Sequence, residues 1–199
     1  MTVPLPPLPP APDEGFRPGG RSIADIVEHE HRQLLDLLER LTGPGPVADE
    51  QLAVLTAALS RHLSAEEQYL LPAVRAAVPA AAVRVDRTLD ADAALLGALR
   101  TLAEDGPDGV AGRVRRHVTE VGELITALRA AASEEELIRL GNRLEIAEEA
   151  APTRPHPDTP ATPPWNRVVE PALGVVDKVR DAVTGRPTYL ADLPDEPHD

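Results

Sequence analysis

Residues 61–72 read RHLSAEEQYLLP and residues 116–127 read RHVTEVGELITA. Both begin with Arg-His, an aliphatic residue and a hydroxyl residue. On a helix each histidine shares a face with the residue four places on. In the first stretch that residue is Glu66, giving a His-x-x-x-Glu pair whose imidazole and carboxylate can ligate a metal from consecutive turns. In the second it is Val121, which cannot ligate. The chain therefore holds a metal site, half of one, or the remains of one.

Around both stretches the apolar residues recur at three and four, the period of a helix. Breaks fall at 43–48 (GPGPVA), 78–84 (VPAAAVR), 105–109 (DGPDG) and near 131–133. Short connections between helices of about 20 residues imply antiparallel neighbours. The expected fold class is all-α, an up-down four-helix bundle. A fifth helix is announced by Ser133 with Glu136 three residues on, a capping box, and carries the stripe Leu137, Leu140, Leu144 and Ala147.

Each of the first four helices places a metal-capable residue in its core-facing line. The first line is Val27, His31, Leu34, Leu38 and Leu41; the second is Leu52, Leu55, Leu59, His62, Glu66 and Leu70. The third is Leu89, Asp92, Leu96, Leu99 and Leu102; the fourth is Val110, Val114, His117, Val121, Leu124 and Leu128. His29 lies about 200° around the helix from His31 and faces outward. Counted at about 1.5 Å per residue from their shared loops, these polar residues all fall roughly 14–20 Å along the bundle. They form one polar layer at mid-height, with His31, His62, Glu66, Asp92 and His117 as candidate ligands. Glu67 and Glu120 flank the lines, and Tyr69 reads as core.

A single histidine on an apolar stripe is more often a hydrogen-bonded core residue than a ligand. A buried carboxylate without a partner costs several kcal/mol or is neutralised. Two arrangements satisfy the layer: a metal ion, or a network of imidazolium–carboxylate pairs.

Composition limits the chemistry. Lys+Arg 20 against Asp+Glu 33 gives a net charge of −13, which argues against nucleic acid and anionic membranes as partners. The absence of cysteine excludes disulfides, iron–sulfur clusters, thiolate zinc and thiol catalysis. No apolar run approaches the roughly 20 residues of a membrane span, and the proline-rich N-terminus is unlike a signal peptide, so a cytoplasmic protein is expected.

The two halves also align. HRQLLDLLERL (31–41) lies over DAALLGALRTL (92–102), so that a helix–loop–helix unit occurs twice. With its histidine in the first helix and His-x-x-x-Glu in the second, the chain resembles the hemerythrin-like family, the HHE cation-binding domain, over about residues 22–150. The tail from Ala151 resembles the C-terminal extension of actinobacterial members. The resemblance implies a non-haem di-iron centre used to bind oxygen, to sense oxygen, nitric oxide or iron, or to handle iron. His31, His62, Glu66 and His117 match the family's ligands. Asp92 stands where the third-helix histidine belongs, and Val121 where the second bridging glutamate belongs. The resemblance thus implies a half-intact iron site, mononuclear or asymmetric and dinuclear.

Proline divides the rest into an extension at 1–20, a linker at 151–165, a short amphipathic helix at 166–185 and an acidic tail at 186–199. The helix carries Val169, Leu173, Val176, Val179 and Val183 on one line, stops at Gly185, and docks on the bundle or on a partner. Three functions follow. One is a metal-binding protein that binds or senses a small ligand such as oxygen, nitric oxide or peroxide. Another is a metal-free bundle that serves as an interaction module through its proline-rich ends or C-terminal helix. The third is an iron enzyme, for which no dedicated acid, base or nucleophile is visible.

Overall fold

A computed structural model of the protein describes residues 18–156 and 166–193. Most of the proline-rich extension, most of the linker and the end of the tail lie outside these residues. Helix α1 spans Ile23–Thr42 and α2 spans Asp49–Ala65; a π turn over Glu66–Leu70 leads into α3, Leu71–Ala77. Then come α4 at Ala82–Leu99, the short α5 at Leu102–Asp105, α6 at Asp108–Ala131 and α7 at Glu134–Ala150. Helix α8 spans Asn166–Thr184 and packs against α7. The second long helix of the bundle is thus α2, the π turn and α3 together, and the third is α4 continued by α5.

Local chemistry sets the ends. Ser22 caps α1, its hydroxyl accepting from the Asp25 amide at 3.1 Å. Ser133 and Glu136 form the expected reciprocal box at α7, with the Ser133 amide donating to Glu136 at 2.8 Å. The π turn has a cause in sequence. Pro72 has no amide hydrogen, and its ring would meet the carbonyl four residues back in a regular helix. Widening the turn relieves that clash, and the Leu71 amide donates instead to Glu66, five residues back. Such turns recur at functional sites, and this one begins on a candidate ligand.

The core falls into two apolar clusters. One gathers Ile23, Ile26 and Val27 with Leu70, Leu71 and Val74, with Val85, and with Val121, Leu124 and Leu128. The other gathers Leu34, Leu37, Leu38 and Leu41 with Leu52, Leu55, Leu59 and Leu63, with Leu95 and Leu99, and with Val110 and Val114. Along the four long bundle helices the division falls at the polar residues: between Val27 and Leu34, between Leu63 and Ala65 (flanked by His62 and Glu66), between Val85 and Leu95, and between Val114 and Val121. The mid-height polar layer is real, with apolar packing above and below it.

The buried line of the third helix differs from the expected one. It runs Val85, Thr88, Asp92, Leu95 and Leu99, while Leu89 and Leu96 are only half-buried. Leu95 and Leu96 are adjacent, and the choice between them depends on helix rotation that periodicity leaves open.

Helix α7 packs against α1, α2 and the π turn. Gly141 lets it approach the start of α1, since a Cβ there would stand 2.2 Å from the Arg21 carbonyl oxygen. Helix α8 meets the end of α7 in the same way, a Cβ at Gly174 falling 2.1 Å from the Ala150 oxygen.

The orientation of α8 departs from its apolar line. Among its described side chains Asp177 and Asp181 are buried and Leu173 is half-buried, while Val176, Val179 and Val183 are exposed, Val183 to 83%; Val169 of the expected line lies outside the described side chains. The aspartates face a basic cluster. Asp181 takes Arg154 Nη2 at 2.5 Å, Arg186 Nη1 at 3.2 Å and the Thr153 hydroxyl. Asp177 takes the Arg154 amide at 3.1 Å and pairs with His156 at 3.1 Å. Charge-assisted hydrogen bonds, stronger than neutral ones, outweigh the apolar pattern. Beyond Gly185, whose φ of 65° closes the helix, the chain returns to the bundle. Arg186 donates to the Ala53 carbonyl at 3.1 Å, and Leu190 and Leu193 pack on the second cluster. Among the described residues no helix is long and apolar enough to cross a membrane.

Candidate metal centre

Four of the five expected ligands meet. One donor atom from each of His31, His62, Glu66 and His117 lies within 4.8 Å of the other three. Helix α1 supplies His31, the last turn of α2 supplies His62, the π turn supplies Glu66 and α6 supplies His117. All four are buried, and Glu66 has no exposed surface at all. The ring centroids of the histidines are 4.9, 5.3 and 5.5 Å apart, each pair edge to face.

The rings aim their Nε2 atoms at the Glu66 carboxylate. His62 Nε2 stands 3.3 Å from Oε1, His31 Nε2 3.6 Å from Oε1, and His117 Nε2 3.3 Å from Oε2. His62 and His117 also bring their Nε2 atoms within 3.4 Å of each other. Despite this closeness, His31 Nε2 and both oxygens of Glu66 lack a hydrogen bond of sound geometry. Orphaned buried polar atoms are rare because each costs free energy. Converging donor atoms of which three are left without a hydrogen bond fit a metal ion.

Carboxylates hold two of the rings from behind. His117 Nδ1 is 2.7 Å from Asp92 Oδ1, and His62 Nδ1 is 2.9 Å from Glu30 Oε2. A proton on each Nδ1, donated to the carboxylate, leaves the Nε2 lone pair directed into the centre. This is how proteins fix the tautomer and raise the basicity of metal-binding histidines. Asp92, expected among the ligands, is placed here against the back of His117, outside the group of four. Its Oδ2 has no hydrogen-bond partner. Val121, one turn beyond His117, is fully buried in the apolar cluster and offers nothing to the centre. His29 is exposed, as expected.

The charges of the metal-free layer follow from this geometry. Burial alone would lower the pKa of His117, but the carboxylates of Asp92 and Glu66 outweigh it and raise it to about 9. His62 is likewise raised well above its ordinary value, burial being overcome by Glu66 and Glu30. Burial disfavours the charged form of Glu66, yet His62 and His117 hold it well below the usual carboxylate range. His31 moves down, chiefly through burial. Burial likewise pushes Asp92 up.

Three residues near the centre carry no signal in the core-facing lines. Glu30 is next to a ligand but off its line. Glu148 stands within 4.8 Å of His62 and Glu30, ligand atom to ligand atom. It does continue the spacing Leu137, Gly141, Leu144 along α7, a line displaced by one residue from the expected stripe. Burial and the neighbouring Glu30 push its carboxyl up to about 8. Arg61 donates to the Thr188 carbonyl at 2.8 Å and lies 4.4 Å from the centroid of the Tyr189 ring. All three line a cavity of about 450 Å³ that reaches His62 and is bordered by Tyr189, Leu190 and Ala191.

The hemerythrin HHE cation-binding domain matches residues 18–141, and the chain belongs to that family. No curated protein and no solved structure matches the chain.

Proposed function

We propose that the bundle holds a non-haem iron ion at His31, His62, Glu66 and His117 and uses it to bind or sense a small ligand such as oxygen, nitric oxide or peroxide. The observation that carries this reading is the convergence of three Nε2 atoms on a glutamate whose two oxygens lack hydrogen bonds. Imidazole and carboxylate together suit iron among the first-row metals. When bound, iron supplies a redox-active centre with positions that four protein donors leave open. Asp92 and Glu30 orient His117 and His62, and the two apolar clusters keep bulk water away from the layer.

With Val121 in place of a second bridging carboxylate and Asp92 turned to the back of His117, this centre is read as mononuclear. Anaerobic loading with ferrous iron, followed by nitric oxide, tests the reading. New absorption and a paramagnetic signal are expected in the parent and not in Glu66→Ala. The same spectrum in both would place any bound iron elsewhere.

A second reading, a metal-free interaction module, is favoured by the exposed valines of α8 and by the way the layer can balance its own charge as imidazolium–carboxylate pairs. It expects no bound metal under any loading condition.

A further inference from the structure

We propose that Glu30, Glu148 and the Nδ1 atom of His62 form a second cation site, which takes a divalent transition-metal ion on the outward side of the His62 ring. The donors come from three separate elements, α1, α7 and α2, and one atom from each lies within 4.8 Å of the other two. Two carboxylates held this close repel each other, and the pair is stable only with a proton or a cation between them. The third donor is an aromatic nitrogen, which selects a first-row transition metal over magnesium or calcium.

The surroundings suit an exchangeable ion. The site borders the cavity of about 450 Å³, whose other acidic lining residues are Glu145 and Glu149. Arg61 lies on the same wall; its Nη2 donates to the Thr188 carbonyl and the group stacks on the Tyr189 ring, while Nη1 has no hydrogen-bond partner. Among the described residues no ion pair joins Arg61 to Glu30 or Glu148. Arg61 acts on Glu148 only through space, so no guanidinium is bonded to the carboxylate oxygens of the pair.

The ring of His62 is common to both sites: Nε2 faces Glu66 and Nδ1 faces Glu30. An ion at the second site takes the place of the Nδ1 proton, which leaves to solvent, as metal binding generally releases protons. Glu148 lies beyond the span that matches the family domain, which ends at residue 141. The second site goes beyond the iron reading and does not require the first site to be filled.

The test is equilibrium dialysis of the full-length apoprotein against cobalt(II), read by metal content and by the visible bands of the ion. The parent is expected to bind about two equivalents and Glu148→Gln about one, each ion releasing protons on binding. Glu149→Gln, an exposed neighbour in the same cavity, should retain both. If the parent and Glu148→Gln bind the same amount, whether one equivalent or two, the second site is overturned while the four-donor centre stands. If the parent binds one equivalent that Glu148→Gln loses and Glu66→Gln keeps, the second site is upheld and the iron centre fails. Superposable circular dichroism and melting of the apo variants exclude misfolding as the cause of a loss.

Discussion

The Nδ1 of His117 lies 2.7 Å from the Oδ1 of Asp92, with both side chains buried. The carboxylate therefore acts on the ring, turning Nε2 toward Glu66, and stands outside the group of four. In Asp92→Asn the shape is kept and the charge is lost. Metal affinity should fall by about 10- to 100-fold, the usual effect of losing such a partner, without disappearing. Competition with a chelator of known affinity measures it. An unchanged affinity would mean that Asp92 does not hold the ring.

The metal-free protein should lose stability as pH rises. His117 has its pKa raised from 6.5 to about 9, so its contribution is complete below 6.5 and is lost as pH climbs through 9. The carboxyl of Glu148, pushed up to about 8, acts in the same direction, because the folded state resists its ionisation. Metal binding at the four-donor centre needs His117 Nε2 free of its proton and should strengthen over that interval. Melting curves of apo and metal-loaded protein from pH 6 to pH 9 should therefore diverge. Parallel curves would contradict the charge layout of the layer.

Val121 is fully buried among Leu124, Leu128 and Val85, one turn beyond His117. In Val121→Glu the apoprotein should be destabilised by about 2–4 kcal/mol, as expected for an uncompensated buried carboxylate. With metal present the new group gains a partner, and much of that loss should be recovered. Equal destabilisation with and without metal would show that position 121 does not reach the centre.

The docking of α8 rests on Asp181 and its contacts with Thr153, Arg154 and Arg186. Asp181→Ala should weaken that docking by about 1–3 kcal/mol, the range for charge-assisted hydrogen bonds. Amide exchange over residues 171–185 should accelerate while the helices of the bundle keep their protection. Unchanged exchange in α8 would indicate that another contact holds it.

Much of this organisation was legible in the chain. The lines through His31, through His62 and Glu66, and through His117 use a period that burial enforces, and all four residues meet. The two apolar clusters confirm that the layer lies at mid-height. The third helix resisted because Leu95 and Leu96 are adjacent and equally apolar. Glu30 and Glu148 were hidden for a different reason. They sit at the flanks of their helices, where a carboxylate normally faces water, and only the approach of α7 to α1 and α2 brings them to His62. In α8 the apolar pattern misled because Arg154 and Arg186, from segments on either side of it, supply partners that no single-helix pattern contains.

The central claim is that His31, His62, Glu66 and His117 hold one metal ion, and the most direct measurement is iron bound per chain after anaerobic loading and desalting. The parent and His29→Ala are expected to retain iron and to melt at a higher temperature than their apo forms, since a ligand bound by the folded state stabilises it. His62→Ala and Glu66→Ala are expected to lose the ion at the four-donor centre and with it that gain in melting temperature. Equal iron content and equal melting shifts in all four proteins, or no iron in any of them, would contradict the account.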